Sequence, residues 1–219
     1  MKIMFIADEA DKHFWDHPDP KKLEGVELIL SCGDIPSSYL SFLTCYTSAP
    51  ILYVHGNHDT GYIRKPPEGC ICVEDTIIAY KGIRIMGLGG SMRYKAGPMQ
   101  YNEKQMARRI KRLKPKLWMY KGVDILVTHA PAFQLGDGKD LCHTGFRCFR
   151  EFLDDVKPQL MVHGHVHQSY TSKFQRVTEY NSTKIVNACG SFIMEVDRVT
   201  KPHPVKSALS QWMNRMQNI

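Results

Sequence analysis

The chain of 219 residues lacks any apolar run near the roughly 18 residues that a membrane-crossing helix needs. Its first apolar stretch, Ile3 to Ala7, meets Asp8 too soon for a signal peptide. That stretch reads as a first β-strand, and the expectation is a cytoplasmic protein. Paired cysteine spacings are also missing. Of the seven cysteines only Cys70 and Cys72 lie close together, and no second pair stands at zinc-ribbon distance. An odd cysteine count without a secretory leader argues against a disulfide scaffold and for reduced thiols that pack as small hydrophobes. No internal repeat and no low-complexity linker divides the chain, so one domain is expected over residues 1–199, with a polar extension at 200–219 ending in a short helix near 209–216.

What is present is a large core and an excess of positive charge. Hydrophobic residues make up 43% and charged residues 23%, which excludes disorder as the default. The net charge of +7 favours anionic partners without identifying them. The densest basic stretch, Arg108, Arg109, Lys111, Arg112, Lys114 and Lys116, falls on an expected helix over 103–119 that Pro115 kinks or ends early. Met106, Ile110, Leu113 and Leu117 supply one buried stripe, leaving a basic face that reads as solvated surface ahead of a nucleic-acid patch.

Short apolar runs recur at 3–7, 27–31, 51–55, 77–80, 83–88, 124–128 and 159–163. Several are continuous rather than alternating, as strands buried on both faces are. Helices are expected at 37–44, 103–119 and 145–156. Four closely spaced runs follow, at 169–174, 177–180, 184–188 and 191–197, with little room for helices, and these look like antiparallel strands. The expected class is α/β, two packed mixed sheets with helices outside.

Most strand ends deliver a metal-ligand residue type. Asp8 follows IMFIA, Gly33-Asp34 follows LILSC, and Gly56-Asn57-His58-Asp59 follows ILYVH. His129 follows ILVT and precedes Ala130-Pro131, and Gly164-His165-Val166-His167 follows LMVH. Loops beyond the carboxyl ends of strands form the ligand crevice of open α/β sheets, so five distant loops can converge. Carboxylate, amide oxygen and imidazole together suit Mn, Fe, Zn, Ni or Co better than a thiolate-bound metal. Taken singly, Asp8 and Asp34 could cap a following turn and His129 could be a packed core histidine; five coincident strand ends weigh against that. His55 and His163, one residue ahead of a motif glycine, read as packed.

These motifs, GD, GNHD, H-A-P and GHVH in this order, resemble the calcineurin-like metallophosphoesterase family over residues 1–197. The resemblance implies a four-layer αββα sandwich with two divalent ions, Mn foremost. It implies that Asp34 bridges them, that Asn57, His129 and His165 complete one site, and that Asp8 and His167 serve the other. His58 would contact the phosphate and assist the leaving group, with Asp59 orienting it. The family's first motif is usually Asp-x-His, whereas here Ala10 fills the histidine position of Asp8-Glu9-Ala10. Either the ion at the Asp8 site is held more weakly with more water, or Glu9, Asp11 or His13 substitutes, or one metal suffices.

Two further loops stand near the expected pocket. Gly87–Arg93, without a P-loop lysine, offers Arg93 to a phosphate, and the polar loop 136–145 offers Asp140 and His143 to substrate. The activity implied is phosphoester hydrolysis by a metal-activated water. The loop after His129 and the Lys157-Pro158-Gln159-Leu160 approach look similar to small phosphodiesterases of the family, which favours a small phosphodiester or nucleotide. A nuclease of the same family, or a non-catalytic metal-binding scaffold with a degraded first site, are the alternatives.

Overall fold

Continuous apolar strands arise here because each is covered on both sides. In β1 (Lys2–Ala7), Ile3, Phe5 and Ala7 point one way, while Met4 and Ile6 point the other. The computed structural model of the protein describes residues 1–167 and 175–197. The strand expected at 169–174 and the extension at 200–219 lie outside the described residues.

The first sheet contains β1, β2 (Leu28–Ser31), β3 (Ile51–Tyr53), β4 (Ile71–Cys72) and β13 (Gly190–Glu195), in the order β13-β1-β2-β3-β4. The second contains β5 (Thr76–Tyr80), β6 (Ile83–Leu88), β9 (Ile125–Thr128), β10 (Leu160–His163), β11 (Val177–Tyr180) and β12 (Thr183–Asn187), in the order β11-β12-β10-β9-β6-β5. A minor parallel pair joins β7 (Ser91–Met92) to β8 (Gln100–Tyr101). Phe5, Leu30, Ile85, Val127 and Val162 belong to one buried cluster between the two large sheets. Outside the first sheet, α1 (Lys12–Asp16) and α2 (Ser37–Leu43) contribute Phe14, Tyr39, Leu40 and Leu43 to a second cluster. Outside the second sheet, α3 (Glu103–Arg112), α4 (Lys114–Met119) and α5 (Arg147–Val156) supply Met106, Ile110, Leu117, Phe149 and Phe152 to a third. The architecture is the four-layer αββα sandwich. No helix among the described residues is long and apolar enough to cross a membrane.

One expectation, a helix over 103–119 interrupted near Pro115, is refined and two are corrected. The helix over 103–119 is two helices that meet at Leu113, and Pro115 sits in the first turn of α4, where its missing N–H costs no hydrogen bond. Asn102 and Gln105 close the start of α3 with a reciprocal capping box. The basic stretch is not one solvated face. Arg109 is buried, paired with Glu74 and with Asp75 (2.8 Å), bonded to Gly89 O (2.7 Å) and lying over the Tyr101 ring. Finally, the late strands are not one antiparallel run. β12 pairs antiparallel with β11 but parallel with β10, and β13 leaves that sheet to pair antiparallel with β1.

β9 links two chemically different ends. At its start, Asp124 is buried and accepts from Arg84 Nε (2.9 Å), Nη2 (2.6 Å) and N (2.8 Å). At its finish stands His129, in the ligand loops. The intervening four residues amount to roughly 13 Å at the usual strand rise.

Candidate metal centre

Asp8, Asp34, Asn57, His129 and His165 each follow a different parallel strand at the same edge of the sandwich. The loops can approach because glycines stand where they touch. A Cβ on Gly33 would lie 2.2 Å from Gly56 N, and one on Gly56 would lie 2.0 Å from Asp34 Oδ1. Gly164 passes equally close to Asp8: its Cβ would meet Asp8 Oδ2 at 2.7 Å. Three of the five ligand-type residues adopt left-handed backbone, Asp8 at φ 63, Asp34 at φ 56 and His165 at φ 70. Aspartate tolerates that region, but for histidine it costs on the order of 1 kcal/mol or more, a strain that clusters at functional sites.

His129 is fully buried. Its Nδ1–H donates to Cys32 O (2.8 Å), which leaves Nε2 facing Asn57 Oδ1 (3.0 Å) and Asp34 Oδ2 (3.3 Å). Burial opposes a charge on this imidazole, yet Asp34 and Asp8 outweigh it and raise its pKa to about 9. Asp34 is likewise opposed by burial, but His129 and the amide of His58 (2.8 Å to Oδ1) hold it at about 2. Two oxygens that draw a proton onto Nε2 form a nest for any cation, and metal binding displaces such protons. Asp8 accepts from His165 N with both oxygens (2.9 Å each); burial raises its pKa despite the nearby imidazoles. His165 donates Nε2–H to Cys142 O (2.7 Å), so Nδ1 keeps the lone pair. Burial, with the charge on His129, pushes its imidazole down to about 3 and keeps it neutral, as a ligand must be. Ligand atoms of Asp34, His129 and His165 all lie within 4.8 Å of one another. The residues present fit a divalent ion.

His167 lies apart from that group. Its Nδ1 is 3.2 Å from Glu9 Oε1, and a ligand atom from each of Glu9, His167 and Cys189 lies within 4.8 Å of the others. Asp11 is committed elsewhere, capping α1 through Phe14 N (2.9 Å) and meeting Lys22, and His13 is exposed with its ring edge-on to His17. Ala10 packs against the cluster under α1 and α2.

The Asp59 carboxylate does not bond the His58 ring as expected. It accepts from Gly56 N and Asp34 N, both at 2.7 Å, and so fastens the two ligand loops together. Burial raises its pKa to about 6. His58 itself is exposed. Arg93 Nη2 donates to Gln100 O (3.3 Å) and Gln105 Oε1 (3.2 Å). The next residue, Tyr94, reaches the site instead, with its hydroxyl 3.4 Å from Asn57 Nδ2. His143 is also steered by a carboxylate: its Nδ1 lies 2.9 Å from Asp140 and its ring lies 5.1 Å from that of His165. His55 pairs with Glu74 (3.0 Å), and His163 is buried with its pKa pushed to about 4 by that burial. Sequence reasoning missed Tyr94, Cys142 and Cys189; none sits in a strand-end motif, so no local signal marks them.

The chain matches the calcineurin-like phosphoesterase superfamily domain over residues 1–200. No curated protein matches it. One crystal structure aligns at TM-score 0.65 with 13% identity, covering 88% of this chain and 94% of the other. TT1561 of Thermus thermophilus aligns at TM-score 0.58 with 19% identity, covering 86% of this chain and 89% of that one. A putative 5'-nucleotidase from Staphylococcus aureus aligns at TM-score 0.52 with 8% identity over 100% of this chain, which spans 58% of that protein. Identities this low carry the fold alone. The domain match covers nearly the whole chain and carries the family: the protein belongs to the calcineurin-like phosphoesterase superfamily, whose members are generally metal-dependent phosphoester hydrolases.

Proposed function

We propose that this protein hydrolyses small phosphodiesters or nucleotides with two divalent ions, held by Asp34, Asn57, His129 and His165 on one side and by Asp8 and His167 on the other. The observation that carries this reading is the convergence of Asp34, His129 and His165 within 4.8 Å, with Asn57 Oδ1 3.0 Å from His129 Nε2. When bound, such a pair of ions neutralises phosphoryl charge and makes water nucleophilic near neutral pH. Donors of this kind accept Mn, with Fe, Zn, Ni and Co as alternatives.

The chain's own residues supply position and protons. Asp59 holds the amides of Asp34 and Gly56, which sets the spacing between the loops. Cys32 O orients the His129 ring and Cys142 O the His165 ring. His58 stands exposed beside Asp34 and donates a hydrogen bond or proton to the departing oxygen. His143, steered by Asp140, contacts the substrate from the overhanging loop. No capping domain is found among the described residues, which supports a small substrate. Free thiols at all seven cysteines support a reducing, cytoplasmic setting.

Purified protein supplied with Mn, and in parallel with Ni, Co and Fe, is expected to cleave bis-p-nitrophenyl phosphate faster than p-nitrophenyl phosphate, with cyclic nucleotides as the natural-type arm. His58→Ala should lower the rate about 100-fold. A monoester preference would replace the diester reading with a nucleotidase-like one. Strong, salt-sensitive binding of DNA or RNA would favour the nuclease. No hydrolysis with any metal would leave the scaffold reading.

A further inference from the structure

The position of the missing first-motif histidine is occupied by packing, not by a donor: Ala10 belongs to the cluster under α1 and α2. The donors at this end of the site come from three other chain segments. Glu9 extends from the turn after β1, His167 from the last motif, and Cys189 from the two-residue link between β12 and β13. A parallel bridge between Ala7 and Cys189 sets that link beside the Asp8-Glu9 turn. Asn187 then ties it to the His167 loop, accepting from Cys189 N (2.9 Å) and donating to Val166 O (2.8 Å). Arg176 Nη1 clasps the same link through Asn187 O (3.1 Å) and Cys189 O (3.0 Å). These four hydrogen bonds fix the position of the link. The Cys189 residue is 2% exposed, the Glu9 side chain is 62% exposed and the His167 side chain 29% exposed. The set thus has a soft donor at its base and two partly exposed donors at its rim.

We infer that Glu9 and Cys189 join Asp8 and His167 at the second ion's site, and that the added thiolate makes the set select zinc, cobalt or ferrous iron over manganese. This rests on the two-ion reading above. Binding forms one metal–sulfur bond and releases the thiol proton to solvent, since the thiolate is the ligand. Thiolate is the softest of the donor types present; the other thiol near the ligand loops is Cys142, which with His143 and His165 forms a separate group of donors within 4.8 Å of one another. The two ions would then be different elements when several are supplied together.

Cobalt(II) gives a direct readout. Metal-free full-length protein titrated with Co(II) should take up two equivalents, one of them accompanied by a near-ultraviolet sulfur-to-cobalt charge-transfer band. Cys189→Ala should abolish the band and weaken that equivalent by at least about tenfold, while Cys45→Ala, an exposed thiol in none of the donor groups, leaves both unchanged. Cys189→Ser, closer in shape, guards against a folding defect, and it too should lose the band. Glu9→Gln should weaken the same equivalent and keep the band. Two equivalents without a sulfur band, or a band that survives Cys189→Ala or disappears with Cys45→Ala, would overturn the inference and leave the two-ion reading intact. Uptake of one equivalent or none would overturn the two-ion reading and the inference with it.

Discussion

The two ends of β9 handle buried charge in opposite ways. At its start Asp124 is answered in full by one guanidinium, whose remaining nitrogen meets Tyr120 O (3.0 Å) and Lys121 O (2.6 Å). Past its finish the acids Asp8 and Asp34 face imidazoles and backbone amides, and His129 is held between acids that pull a proton toward it. A closed ion pair holds the sandwich together. An arrangement of anions around neutral or shared-proton imidazoles stores an appetite for a cation. The same strand thus separates stability from chemistry, and three substitutions test how clean that separation is.

The largest effect is expected at the site. His129→Ala should cut turnover by more than the roughly 10–100-fold that loss of an outer metal-site partner costs, measured as kcat/KM on the best diester with saturating Mn. Retention of activity would remove His129 from the ligand set. At the other end, Asp124→Ala leaves the half-buried Arg84 without its anion and should cost about 2 kcal/mol in urea unfolding, with kcat/KM unchanged under conditions where the variant is folded. An equal loss of activity would mean that the two ends of β9 are coupled. The smallest effect is expected from Ala10→His. If Glu9 and Cys189 already fill the coordination, restoring the family's histidine should change Co(II) affinity at the second site by less than about threefold, well under 1 kcal/mol. A gain beyond tenfold would show that the site had been short of a donor.

The comparison also explains what could be read from the residues alone. Asp8, Asp34, Asn57, His129 and His165 were legible because each directly follows a buried strand, and strand ends on one edge of a parallel sheet must meet. The layered fold was legible from the same continuous apolar runs. Glu9 was named only as one of three substitutes, because Asp11 and His13 are also close in sequence; Asp11 caps α1, and it is Glu9 that groups with His167 and Cys189. Cys189 was illegible for a topological reason. It lies on the link by which the chain leaves the second sheet for the first, and nothing local indicates that β13 pairs with β1 rather than with its own neighbour in sequence. Arg109 misled for a physical one: within a run of six cations, only the tertiary placement of Glu74 and Asp75 distinguishes the internal anchor from solvated neighbours.

The pairing of β13 with β1 has a bearing on how the protein is made. Asp8 emerges from the ribosome early and finds the amide of His165 only 157 residues later, and the strand that flanks it arrives later still. Closure over such separations is slow relative to local structure. On the two-ion reading, ion capture is consequently a late event in biogenesis: a half-synthesised chain exposes carboxylates to cellular cations but has no cradle in which to retain one, so the choice of metal would fall to the finished molecule.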